Sequence, residues 1–185
     1  MHEVAVFASG SGTNFEALVN QEYKNIKIAL LVCNKSDAYC IERAKNHNIP
    51  YVVVESKKYK DRNEHEREIL KYLKEYNIDF IVLAGYMRIL ADVLLENYEG
   101  RMINIHPALL PAFKGAHGIE DSYNYGVKYM GVTVHYVTGD LDGGKIIDQE
   151  CFRVTDGMTL EEAEENIHAI EHVLYPRVLK KLLED

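Results

Sequence analysis

The sequence predicts an α/β fold: a Rossmann-like parallel sheet in the N-terminal half, added antiparallel strands, and a long C-terminal helix. Three observations carry this reading. Five nearly unbroken apolar runs recur before residue 106, a segment between two of them has helical spacing, and beyond His106 apolar residues alternate with polar ones. Strands covered on both faces by crossover helices read as continuous apolar runs, whereas antiparallel strands more often alternate.

The elements follow in order. Residues 4–8 form the first strand, and Ser9-Gly10-Ser11-Gly12-Thr13-Asn14 joins it to a helix. Residues 28–32, 51–54, 80–84 and 102–105 supply four more strands. Before the fourth strand, Ile69, Tyr72, Leu73 and Tyr76 recur at i, i+3, i+4 and i+7, which predicts an amphipathic helix. Connections of this β-α-β kind are right-handed. Further on, Val132, Val134 and Tyr136 alternate with Thr133, His135 and Val137, and Asp142-Gly143-Gly144 precedes Ile146-Ile147. That pattern predicts a hairpin-like return and antiparallel strands. Thr159 with Glu162 forms a capping box for the last helix, whose buried stripe is Leu160, Ala163, Ile167, Ile170 and Leu174. Pro176 is expected to kink or restart that helix. Residues 113–123 fit either a helix start or a mobile flap. With no repeat, linker or low-complexity segment, one domain spanning 1–185 is expected.

Composition narrows the function classes. A chain of 185 residues is large enough to bury roughly 70 % of its unfolded surface. A hydrophobic fraction of 47 % argues against disorder. The net charge of −8 works against nonspecific attraction to nucleic acid or an anionic membrane. An anionic substrate therefore needs a local site. Cys33, Cys40 and Cys151 show no C-x-x-C spacing, and no segment reads as a signal or a membrane span. They are read as free thiols in a reducing cytoplasm.

Chemistry concentrates around Asn104-Ile105-His106-Pro107. Side chains two apart on a strand leave the same face, so Asn104 and His106 point together while Ile105 packs opposite. Pro107 ends ladder bonding and turns the chain. An amide beside an imidazole at a strand's carboxyl end is where open α/β sheets place their sites. Asp142 adds a carboxylate, although Asp-Gly is also a common turn. Taken singly, His106 also fits a core histidine and Asn104 a strand-end cap.

Small residues at Ser9-Gly10-Ser11-Gly12-Thr13-Asn14 let backbone N–H groups approach an anion. No Lys-Ser/Thr pair follows Gly12, so this is not a P-loop. Phe15 stands where the dinucleotide fingerprint needs its third glycine, and Asn34 rather than an acid follows the second strand. A single phosphate fits better than a dinucleotide, and a tight turn capped by Thr13 or Asn14 fits equally well. Met87, Arg88, Ile89 and Leu90, with Arg62, are candidates to wall a planar heterocycle, or else the segment is a first helical turn packed in the core. His106, His117 and His135 match no metal-ligand spacing, so no metal is expected. Glu171 lies at the edge of the last helix's apolar stripe, where it either reaches a cleft or is solvated.

Together, Ser9-Gly10-Ser11-Gly12-Thr13-Asn14, Ala84-Gly85-Tyr86-Met87-Arg88-Ile89-Leu90, Asn104-Ile105-His106-Pro107-Ala108-Leu109-Leu110-Pro111 and Leu141-Asp142-Gly143-Gly144 resemble the phosphoribosylglycinamide formyltransferases. The resemblance runs from the first strand to Glu171-His172 and Tyr175-Pro176. It implies a formyltransferase-like fold and transfer of formyl from 10-formyltetrahydrofolate to glycinamide ribonucleotide in purine synthesis. It further implies that Gly12, Thr13, Asn14 and Glu171 hold the ribonucleotide. Arg62, Met87, Arg88, Ile89, Leu90, Asn104, Thr138, Gly139, Asp140 and Leu141 are implied to bind the folate. Asn104, His106 and Asp142 are the implied catalytic trio, with Asp142 favouring the imidazolium of His106. Lys145 stands where many members carry proline, which predicts a less rigid folate-side loop.

Three other readings compete. A formyltetrahydrofolate hydrolase resembles the chain through the same trio but usually carries an extra N-terminal domain. A methionyl-tRNA formyltransferase is expected to carry a further C-terminal tRNA-binding domain. A non-catalytic nucleotide or folate binder has no need of all three polar residues. The sequence leaves oligomeric state open, a homodimer included.

Overall fold

The five apolar runs become the parallel strands of one seven-stranded sheet. In the computed structural model, which describes residues 1–184, the chain runs β1 (His2–Ala8), α1 (Thr13–Val19), β2 (Ile26–Cys33), α2 (Cys40–Asn46), β3 (Tyr51–Val53) and α3 (Arg62–Glu75). It continues through β4 (Phe80–Leu83), α4 (Asp92–Asn97), β5 (Met102–His106), α5 (Gly118–Tyr125), β6 (Tyr129–Tyr136), β7 (Ile146–Arg153) and α6 (Leu160–Glu184). Asp185, included in the expected domain, lies outside the described residues.

The strand order is β3-β2-β1-β4-β5-β6-β7. β1 to β5 pair in parallel, and β6 and β7 add antiparallel, as the change in sequence pattern predicts. Because the chain passes from β1 outward to β2 and β3 and later returns to β4, the sheet reverses direction of growth between β1 and β4. Such a switch point opens a crevice at the strands' carboxyl ends.

Period-two side chains sort into two cores. Val4, Val6, Ile103, Ile105, Val132 and Val134 pack on one face with Phe15 and Leu18 of α1 and Ile167, Leu174 and Val178 of α6. Ala5, Phe7, Ile81 and Met102 pack on the other with Ile69 and Leu73 of α3 and Leu94 of α4.

The Thr159–Glu162 capping box forms: Thr159 N–H donates to the Glu162 carboxylate at 2.8 Å, and Glu162 N–H donates to Thr159 Oγ1 at 3.1 Å. α6 nevertheless runs without interruption through Pro176, where a kink or restart was expected. Pro176 is buried with Tyr175 and Val178, and this packing holds the turn that proline weakens. Tyr175, fully buried, donates its hydroxyl to Leu83 O at 2.7 Å and Ile103 O at 3.2 Å, tying α6 to β4 and β5. Burial raises its phenol pKa. Cys33, Cys40 and Cys151 are free thiols, the first two with Sγ atoms 3.7 Å apart.

Candidate active site

β5 presents Asn104 and His106 on one face because they sit two apart, while Ile103 and Ile105 enter the opposite core. The antiparallel register sets Asn104 opposite His135 and His106 opposite Thr133. Four polar residues therefore share one patch of sheet. His106 and His135 are only 4% and 3% exposed, so their ring nitrogens need partners.

The turn after β6 supplies one. It leaves β6 beside β5, with Val137 N–H donating to Met102 O at 3.0 Å, and then folds back across the strand face. Asp142, at φ 48°, brings its carboxylate to 3.5 Å from His106 Nδ1 and 3.7 Å from His135 Nε2. Gly144 makes this fold possible, because a Cβ there would lie 1.6 Å from Tyr136 O. Lys145 accepts Tyr136 N–H at 2.9 Å through its carbonyl, an interaction of the backbone alone.

The segment after β5 closes the site from the other side. Thr133 Oγ1 donates to Ala108 O at 2.7 Å and accepts Leu110 N–H at 3.1 Å, which pins the turn that follows Pro107. Phe113 O then accepts from His106 Nε2 at 2.7 Å, and Gly115 N–H donates to Asp142 Oδ2 at 2.8 Å. His106 thus spends Nε2 on a carbonyl and turns Nδ1 toward the carboxylate. A protonated ring donates on both sides; a neutral one leaves a lone pair facing an acceptor.

A second cluster lies at the end of β1. Gly12, at φ 73°, is the N-cap of α1, and a Cβ there would come within 2.6 Å of Cys40 Cβ. The N-cap is Gly12 rather than Thr13 or Asn14, so the tight turn into α1 carries no side-chain cap. Arg43 Nε donates to Ser11 O at 2.7 Å, and Cys40 N–H donates to Gly10 O at 3.0 Å, anchoring the loop to α2. Asn14 Nδ2 lies 3.4 Å from Glu171 Oε2, so residues 157 positions apart meet. Glu171 is buried rather than solvated and pairs with His168 Nδ1 at 3.0 Å, which raises the His168 pKa.

Residues 2–179 match the formyl transferase family. This chain belongs to that family. It is 45% identical over 99% of its length to a phosphoribosylglycinamide formyltransferase of Bacillus subtilis, covering 95% of that protein. It is 39% identical over 96% of its length to the trifunctional purine biosynthetic protein adenosine-3 of Gallus gallus, covering 18% of that longer protein. Among solved structures, the glycinamide ribonucleotide transformylase 1 of Geobacillus kaustophilus matches with a TM-score of 0.96, 48% identity and 99% coverage of both chains. The resemblance read from sequence motifs is borne out.

The formyl transferase fold also places the remaining sequence-selected residues. Residues 87–90 form no helical turn, and Met87 and Ile89 are 68% and 62% exposed, whereas Leu90 is half-buried against the core beside α3 and α4. They extend from β4, the neighbour of β5. Arg62 opens α3, one turn before buried Glu66. Thr138, Gly139, Asp140 and Leu141 are exposed in the turn that carries Asp142. His117, at the N-cap of α5, stands apart from the ion pairs of His106 and His135 with Asp142. Residues 113–123 resolve into the segment that clamps the site and the start of α5. Among the described residues, no group of three or more His, Cys, Asp or Glu is arranged to hold a metal ion.

Sequence reasoning missed several supporting residues. Ser9 Oγ donates to Asn34 Oδ1 at 2.6 Å and accepts Met87 N–H at 2.9 Å, joining the two loops at the switch point. Glu66 accepts N–H groups of Ala91 at 2.5 Å and Leu94 at 2.9 Å, which fixes the end of segment 87–90. Its position three before Ile69 on the buried stripe was the available signal. Burial raises the Glu66 pKa against the pull of those N–H groups. His135 was visible as a polar residue in a strand whose neighbours are apolar.

Proposed function

We propose that this chain transfers the formyl group of 10-formyltetrahydrofolate to the primary amine of glycinamide ribonucleotide, giving formylglycinamide ribonucleotide and tetrahydrofolate in purine biosynthesis. Family membership and the names borne by its relatives support the reaction class. The observation that carries the residue assignment is the convergence of Asn104, His106 and Asp142 on one buried patch.

The reaction needs an oxyanion site and a proton route. The amine attacks the formyl carbon of the folate N10 amide, and negative charge develops on the formyl oxygen. An Asn104 N–H and a protonated His106 Nδ1–H are the donors for that oxygen. With Nε2 held by Phe113 O, the Nδ1–H of His106 points toward Asp142 at 3.5 Å, a separation that leaves room for the formyl oxygen to share that proton. Asp142, directly or through water, carries the proton from the attacking amine toward the departing N10.

The ribonucleotide phosphate sits on the backbone of Gly12, Thr13 and Asn14, and Glu171 meets the ribose or amine side. The folate lies between Arg62, Met87, Arg88, Ile89 and Leu90 on one side and Thr138, Gly139, Asp140 and Leu141 on the other, with Asn104 at its formyl end. Exposed apolar Met87, Ile89 and Leu141 suit a flat heterocycle. No resident metal or prosthetic group enters the scheme.

The test follows formyl loss from 10-formyltetrahydrofolate with and without glycinamide ribonucleotide. Ribonucleotide-dependent turnover is expected, and Asp142→Asn should lower it by about a hundredfold. Equal turnover without the ribonucleotide would indicate a hydrolase. No turnover in either case would indicate a binder. An Asp142→Asn variant with unchanged turnover and pH profile would remove Asp142 from the scheme.

A further inference from the structure

His135 is buried against the candidate site yet takes no part in the chemistry above. Its surroundings dictate its protonation pattern. Nδ1 lies 2.8 Å from Tyr136 O, which has only lone pairs to offer, so Nδ1 carries a proton. Nε2 faces Asn104 Nδ2 at 3.4 Å and Asp142 Oδ1 at 3.7 Å. Burial is the main influence holding His135 below the ordinary histidine pKa, opposed by the hydrogen bond to Tyr136 O and the charge of Asp142, with the charges of His106 and Lys114 adding to the lowering. The neutral ring therefore presents a lone pair at Nε2, and that lone pair can only accept.

This constrains Asn104. Its side-chain amide can satisfy the Nε2 lone pair only by donating, so its nitrogen turns toward His135. The second N–H on that nitrogen is left for another acceptor. Rotated by half a turn, the amide would oppose two lone pairs at His135 and offer an oxygen, not a donor, to a carbonyl oxygen. We propose that His135 is a positioning residue whose neutral Nδ1–H tautomer fixes the Asn104 amide with an N–H directed at the formyl oxygen. The inference rests on the formyl-transfer reading for its function, but the tautomer and amide orientation exist without substrate. Protonating His135 turns Nε2 into a donor, attracts Asp142 Oδ1, and releases Asn104 to its unproductive orientation.

Two variants and one spectrum test this. His135→Gln keeps an acceptor near the Nε2 position but does not titrate; His135→Leu removes the acceptor. His135→Leu should lower kcat by about a hundredfold, the usual scale for losing one oxyanion donor, while both KM values stay within about twofold. His135→Gln should keep kcat within about tenfold of the parent and lose the acid-side fall that His135 contributes. In the substrate-free protein, long-range nitrogen–proton NMR should show Nδ1 protonated and Nε2 bare near pH 7. An Nε2–H tautomer would overturn the proposal, as would parental kcat in His135→Leu. So would a His135→Leu loss that persists in full when Asn104 is already alanine, because the two residues would then act independently. If no ribonucleotide-dependent transfer is found in the parent, the reaction assignment fails, and the NMR result still decides the tautomer. If His135→Leu does not fold, the glutamine variant and the spectrum decide.

Discussion

Asn104, His106 and Asp142 show how single residues acquire chemistry from their partners. His106 has one nitrogen on Phe113 O, so only Nδ1 is left to face Asp142. Phe113 and Gly115 act through backbone groups, Gly115 from a left-handed φ of 98° that favours glycine, and no sequence pattern announced either contact. At Gly12 close packing adds to the backbone requirement. Gly12→Ala places a Cβ 2.6 Å from Cys40 Cβ at a left-handed φ of 73°. That conformation alone costs a non-glycine residue about 1–2 kcal/mol. Thermal melting should show the loss, and KM for glycinamide ribonucleotide should rise while KM for the folate changes little. A KM that rises equally for both substrates would argue against a phosphate role for this turn.

At the scale of elements, α3 and the segment from β4 to α4 depend on Glu66. Its carboxylate accepts two backbone N–H groups, from Ala91 and Leu94, and replacing it leaves donors without a partner. Its raised pKa fixes the sign of a pH effect. The unfolded carboxyl titrates near 4.5 and the folded one higher, so this group's contribution to stability is present below pH 4.5 and is lost as pH rises through the folded pKa. Glu66→Gln cannot titrate. The stability of the parent relative to Glu66→Gln should therefore decline as pH rises through the interval above 4.5, measured by urea denaturation at a series of pH values. A difference independent of pH would show that Glu66 titrates alike in both states. The amphipathic spacing of α3 was legible through Ile69 and Leu73, but nothing in that spacing singled out Glu66 on the same stripe. Its role emerged only when α4 packed beside it.

Across the whole molecule, the long final helix ties the sheet together. Tyr175 reaches under β4 and β5 and donates to a carbonyl of each. Tyr175→Phe should destabilise the fold by about 1–3 kcal/mol through the buried carbonyls it leaves less satisfied, with kcat nearly unchanged in the folded fraction. Chemical denaturation gives the first quantity and turnover the second. The parallel strands, the antiparallel return, the capping box and the Asn104–His106 pair were all legible because local periodicity and turn chemistry act over a few residues. Burial at the strand centres follows from the same apolar runs. Continuity of α6 through Pro176 was not legible, since tertiary packing on either side outweighs a local preference against helix. The meeting of Asn14 with Glu171, the fold-back of Asp142 onto two histidines, and the orientation of Asn104 by His135 belong to this second class. The sequence by itself determined which segments form strands and helices and which residue types lie at their ends. Only the tertiary structure decided which of those ends meet, because contacts between distant residues depend on strand order and register, which no local pattern encodes.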